Sequence, residues 1–261
     1  MNRLTSILCF SFIALLSFAQ DPWSITVEKP LQGDYYGITS ANGQIGLVSS
    51  RSPLKVDKVV VGGLYDIYAS GRVNNYFPNI NPLDLELKVN GTRCDRGNIS
   101  DYTQDFSFRN GAFSGHFSFR DLVRVSYITV ALRQMPFGYM TDVTVVATAD
   151  CDLLVLNQHR APEALRNVED YFSYIDNKAN PYTTVYPHYV LMTTTADSPT
   201  ARHHLAACTA FLFPDNPSGG VETEIRHRTD RGVGRHTMEF THHLQAGDTP
   251  HFALVGNIMG S

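Results

Sequence analysis

The run Leu83-Asp84-Leu85-Glu86-Leu87-Lys88-Val89-Asn90-Gly91 decides the fold class of this chain. Leu83, Leu85, Leu87 and Val89 alternate with Asp84, Glu86 and Lys88. Successive side chains of a strand point to opposite faces, so this spacing predicts a strand with one apolar face. Asn90-Gly91 then supplies the two positive-φ residues that a type I′ hairpin turn requires. The same grammar continues downstream. FSFRNGAFSGHFSF, 106–119, sets aromatic alternation on both sides of Asn110-Gly111, and LVRVSYITVALRQ, 122–134, reads as a further strand. GYMTDVTVVATADCDLLVLN, 138–157, reads as two strands or one long bent strand. YVLMTTTA (189–196) and LAACTAFLF (205–213) follow, and VETEIRHRT and RHTMEFTHHL flank DRGVG as a hairpin. HFALVGNIMG, 251–260, closes the pattern.

One stretch reads as helix. Pro162 opens PEALRNVEDYF with an acid beside it, the usual chemistry of a first turn. With that exception the chain predicts an all-β fold: a large antiparallel β-sandwich carrying one or two short helices. More than ten strands joined by short Gly, Asn and Asp turns need both sheet faces covered, and two sheets packed face to face achieve this.

Composition narrows the function classes. The chain has 261 residues, 43% hydrophobic and 18% charged, which excludes disorder. A formal charge of −4 offers no basic stripe for nucleic acid. Residues 1–19 read as a secretory signal peptide. Arg3 is the positive start, 7–16 is apolar apart from Ser11, and Ser17-Phe18-Ala19 is a small-residue cleavage site, so the mature chain is expected to start at Gln20 in a secreted or periplasmic setting. The apolar run is too short to span a bilayer, which needs about 20 residues, so no membrane partner is expected. Cys94, Cys151 and Cys208 are far apart and form no CxxC, so they are read as buried thiols with at most one disulfide.

Three stretches, YYGITSANGQIGLVSS, VVVGGLYDIYAS and NYFPNINPLDLELKVNG, carry a resemblance in their order and spacing. They resemble the opening of the N-terminal domain of glycoside hydrolase family 65, which includes maltose, trehalose and kojibiose phosphorylases and related α-glucoside hydrolases. The counterparts of the family's strands are Asn42-Gly43-Gln44-Ile45-Gly46, Gly62-Gly63-Leu64-Tyr65-Asp66 and Phe77-Pro78-Asn79. Ile80 stands where an aromatic residue usually follows Asn79. The resemblance covers nearly all of 20–261 and implies a β-sandwich that packs on an (α/α)6 barrel, in cis or in trans. In the family the barrel carries the catalytic acid. The chain up to Ser261 reads as strand and contains nothing to make such a barrel, so this domain is expected to be non-catalytic, to shape one rim of the substrate pocket and to support a homodimer. The alternative is a free-standing carbohydrate-binding sandwich.

The candidate residues follow from this. Tyr76, Phe77 and Asn79 are the candidate contacts for an α-linked glucoside, in a loop stiffened by Pro78, and 180–189 is a second aromatic loop. No catalytic residue, metal or cofactor is assigned. The strand pairs Asp84/Glu86, Asp150/Asp152 and Glu222/Glu224 match any solvated strand face as well as a catalytic pair. The late histidines, including His227 and His236 across the predicted hairpin, lack an HExxH and read as exposed strand residues. An apolar patch for the barrel is expected around 76–78, 182–189 and the last strand, 252–259, read as an unpaired edge that would make the free chain self-associate.

Overall fold

A computed structural model describes residues 21–28, 30, 34–67, 73–175, 189–214, 226–230 and 235–261. Numbered along the chain, the first strands are β1 (Ser24–Val27), β2 (Thr39–Ala41), β3 (Ile45–Ser49), β4 (Val56–Val61), β5 (Asp66–Ile67) and β6 (Asn74–Asn75). Then come β7 (Asn81–Val89), β8 (Thr92–Arg93), β9 (Ser100–Ser107), β10 (Ala112–Phe119), β11 (Val123–Ala131) and β12 (Gly138–Ala147). The remainder are β13 (Cys151–Arg160), β14 (Arg166–Ile175), β15 (Tyr189–Asp197), β16 (His204–Leu212), β17 (Arg226–Asp230), β18 (Arg235–Leu244) and β19 (His251–Gly260).

All the ladders are antiparallel. One layer is a nine-stranded sheet, ordered β1-β9-β10-β11-β12-β19-β16-β15-β14. A five-stranded sheet, β17-β18-β13-β7-β8, and a three-stranded sheet, β2-β3-β4, form the second layer, and an isolated bridge between Lys55 and Asp84 joins their edges. The layers meet through interdigitated aromatics. Phe240 of β18 lies 5.0 Å from Phe211 of β16 and 5.1 Å from Phe252 of β19, each edge to face. Fully burying such a side chain contributes roughly 1.5–3 kcal/mol.

The opening run becomes β7, with Leu83, Leu85, Leu87 and Val89 each 1% exposed. Asn90 (φ 49°) and Gly91 (φ 74°) make the expected turn. Asp84 departs from the simple alternation, for it too is buried, beneath Lys55, Gln158 and Arg160. The stretch 138–157 is two strands in opposite layers, β12 pairing with β11 and β19 and β13 with β7 and β18.

Two expectations are corrected. PEALRNVEDYF is no helix. After a single turn, in which Leu165 N donates to Pro162 O at 3.0 Å, the chain enters β14 and pairs with β15. Asn167 at φ 51° sits in a bulge that ends any helical continuation, while Phe172 packs on the His236 ring across the layers. The β-branched and aromatic residues Val168, Tyr171 and Phe172 fit a pleated surface better than a short helix. Nor is the last strand an edge. β19 lies between β12 and β16, with Phe252, Leu254 and Ile258 buried. Its sequence could not reveal this, because partner strands distant in the chain fill both of its ladders.

The glycine-marked first strands dock the three-stranded sheet onto the large one. Asn42 Nδ2 donates to the carbonyls of Leu132 (2.7 Å) and Pro136 (2.9 Å), and its Oδ1 accepts from the amides of Gln44 and Ile45. Gly43 at φ 92° allows the tight turn. Ser40 Oγ donates to Gly111 O, and Gln104 joins Tyr35, Tyr102 and Ser50 in a buried network.

Candidate functional site

The short hairpin β5–β6 presents two aromatic rings. Two-residue strands cannot hold themselves in water. Here the buried carboxylate of Asp66 clamps the hairpin to the turn after β15. It accepts from Ser198 Oγ (2.5 Å), Thr200 N (2.9 Å), Thr200 Oγ1 (2.5 Å) and its neighbour Ile67 N (2.7 Å). Burial alone would raise its pKa, but these donors outweigh burial and hold the carboxylate ionised, far below its ordinary range. Tyr65, just before it, has its carbonyl tied to His203 Nε2 at 3.1 Å. Its ring lies 4.6 Å from that of Tyr76, tilted by 40°, and the two hydroxyls are 2.8 Å apart. That bond, together with burial, raises the pKa of Tyr65. Tyr65 is 43% and Tyr76 45% exposed. Asn74 and Asn75 are exposed beside them, with Arg202 Nη1 reaching Asn74 Oδ1 at 3.5 Å.

Of the sequence-predicted contacts, Tyr76 is therefore on this surface, whereas Phe77 and Asn79 are 2% and 3% exposed. Asn79 Nδ2 donates to Phe77 O at 3.2 Å, and its Oδ1 is buried with no partner. Ile80, which replaces the aromatic, is fully buried. Both side chains support the loop from below. Tyr65 is the partner that sequence reasoning missed. It lies within the quoted GGLYD motif, but nothing in an eleven-residue separation signals that the rings meet. The aromatic loop 181–188 and Glu222/Glu224 lie outside the described residues.

The remaining polar clusters are structural. Asp84 bonds Lys55 Nζ (2.5 Å), Gln158 Nε2 (2.5 Å) and Arg160 Nε (3.1 Å). Burial would raise its pKa, and the Lys55 and Arg160 cations with Gln158 more than reverse this. Glu86 pairs with Arg93 at 2.9 Å instead of acting with Asp84. Histidines pair with aspartates across neighbouring strands: His204 with Asp197 (2.5 Å), His243 with Asp152 (2.8 Å) and His251 with Asp142 (2.5 Å). The register sets His236 opposite Thr229 and His227 opposite Met238, so the two histidines are not register partners across the hairpin. No group of three or more potential metal ligands occurs among the described residues. Cys94, Cys151 and Cys208 are free thiols, and burial pushes Cys94 up to about 12.

His159 of β13 bridges the layers. Its Nδ1 lies 2.8 Å from Thr194 Oγ1 and its Nε2 2.8 Å from Thr209 Oγ1. Thr194 gives its proton to Asp170, so it must accept from His159. This fixes the neutral tautomer with the proton on Nδ1. Desolvation brings the ring's pKa down to about 3.

The described residues thus form an antiparallel β-sandwich that presents an exposed tyrosine pair at one hairpin. No protein-family model matches the chain. It is 39% identical over 244 residues to a kojibiose hydrolase of Flavobacterium johnsoniae, covering 94% of this chain and 34% of that protein. It is 33% identical over 263 residues to a kojibiose hydrolase of Mucilaginibacter mallensis, covering 100% of this chain and 37% of that protein. The chain thus spans about a third of the length of these curated relatives. A solved structure assigned as a kojibiose phosphorylase from the human microbiome shares the fold, with a TM-score of 0.68 at 8% identity, over 92% of this chain and 33% of that one. Nearly the whole chain is similar to about a third of these kojibiose hydrolases, consistent with the resemblance to the N-terminal domain of glycoside hydrolase family 65.

Proposed function

We propose that this chain is the non-catalytic N-terminal β-sandwich of a secreted enzyme acting on α-glucosides. It packs on an (α/α)6 barrel, in cis or in trans, and shapes one rim of the active site. The observation that carries this reading is the end-to-end similarity to kojibiose hydrolases roughly three times as long as the chain. A half-buried apolar row on the outer face of the large sheet, Val130, Met140, Val255 and Ala210 in register, adds a surface suited to a neighbouring domain. The test is to assay the purified chain on kojibiose, maltose and trehalose, with and without phosphate. No glucose or glucose phosphate is expected from the chain alone, and activity should appear when a family barrel is supplied. Release by the chain alone would overturn the reading. Secretion is checked by sequencing the exported protein, which should begin at Gln20.

The second reading, a free-standing carbohydrate-binding sandwich, is favoured by the exposed Tyr65–Tyr76 pair. It predicts a stable monomer that binds sugar without any barrel.

A further inference from the structure

We propose that the Tyr65–Tyr76 pair is a stacking platform for one pyranose ring of an α-glucoside. This rests on the reading of the chain as part of a carbohydrate-active enzyme. The two rings tilt toward one another by 40° with centroids 4.6 Å apart, and the bond between their hydroxyls fixes them as a single wedge. Nearly half of each side chain faces solvent, although the sandwich core could have taken in rings of this size, as it does Phe77 one residue later. The π faces carry negative potential. A pyranose offers the complement, a face of weakly positive C–H bonds with hydroxyls at its edge. Asn74 and Asn75, exposed immediately before Tyr76, and Arg202, which reaches Asn74, supply amide and guanidinium groups of the kind such hydroxyls bond.

The support beneath the rings points the same way. A buried carboxylate is costly to desolvate. Asp66 is retained at 0% exposure with four hydrogen bonds, two of its partners on a turn more than a hundred residues away in sequence. Its effect is to lock a hairpin whose own strands are two residues long. His203 fixes the Tyr65 carbonyl from a second direction. A platform held rigid before binding loses little freedom when ligand arrives.

The test uses the full chain with tyrosine ring resonances labelled, titrated with kojibiose and with maltose. Saturable shifts centred on Tyr65 and Tyr76 are expected, with a dissociation constant on the order of 1–10 mM, the range of a shallow surface site. Tyr65→Ala and Tyr76→Ala should each weaken binding about tenfold or more, Tyr76→Phe should retain most of it, and Tyr171→Ala, on another exposed tyrosine, should leave it unchanged. Circular dichroism and thermal melts of each variant establish that it folds, and the wild-type shift map stands by itself if one does not. No saturable shift by about 50 mM of either sugar, or shifts confined to other tyrosines, overturns the proposal. Protection of Tyr65 and Tyr76 by an added barrel, without any sugar-induced shift, also overturns it and leaves the module reading standing.

Discussion

Gly256 shows how much a single missing side chain can decide. A Cβ there would meet the carbonyl oxygen of Cys208 at 1.9 Å and the hydroxyl of Tyr139 at 2.6 Å. Tyr139 is fully buried, and its hydroxyl donates to that same carbonyl at 2.7 Å, so neither neighbour can retreat. Gly256→Ala should cost about 3 kcal/mol or more through overpacking in the centre of the large sheet, read as a shifted urea midpoint. His159 gives the pH dependence at the same scale. Its pKa is about 3 in the fold and near 6.5 when unfolded. The unfolded chain therefore takes up the proton first. The stability it contributes is fully present above the unfolded value and is lost as pH falls from about 6.5 toward 3. His242, also lowered by burial, acts with the same sign, while exposed His243, raised by its bond to Asp152, acts with the opposite sign. The urea midpoint should fall between about pH 7 and 4, and His159→Gln should flatten that slope. An unchanged slope in the variant would exclude His159 as its source.

At the scale of elements, the second layer depends on one carboxylate. Asp84 of β7 touches Lys55, just before β4, and Gln158 and Arg160 of β13, so it joins the five- and three-stranded sheets beside an isolated backbone bridge and the bonds that Asn81 and Arg160 donate to Val56 O. Removing one partner of a buried charge cluster leaves the others uncompensated. Asp84→Ala should therefore destabilise by roughly 3–5 kcal/mol. Glu86, two residues along and paired with a half-exposed Arg93, makes the control: Glu86→Ala should cost no more than about 1 kcal/mol. Equal costs in chemical denaturation would show that Asp84 does not tie the sheets. The pair separates two roles that the alternating run 83–91 presents as equivalent.

Across the whole molecule, the two layers share one core. Phe240 belongs to the five-stranded sheet and its ring contacts Phe211 and Phe252 of the nine-stranded one. Phe240→Ala should cost about 3–5 kcal/mol. Because both layers lose the same contact, backbone and aromatic probes should still report a single transition. Two separated transitions would mean that the layers fold independently. The placement of β19 in the interior also moves the aggregation risk. Among the described residues the outermost strands of the large sheet are β1 and β14, and the exposed Trp23 and Ile25 lie at the β1 edge.

The sequence alone determined the strand class, the type I′ turn at Asn90-Gly91, the core faces of β7 and the order of glycine-marked strands at the start of the chain. Each depends on local periodicity or on a backbone angle that few residues tolerate, and both are written in consecutive letters. Tertiary structure alone decided what lay beyond that. It turned 166–175 into a strand because β15 was there to pair with it, and it placed β19 between two strands from distant parts of the chain. It sank Phe77 and Asn79 while leaving Tyr76 outside, and it brought Tyr65 against Tyr76 through a clamp built from Asp66, Ser198 and Thr200. These outcomes depend on which residues meet across separations from about ten to more than a hundred positions, and neither propensity nor alternation encodes such a meeting.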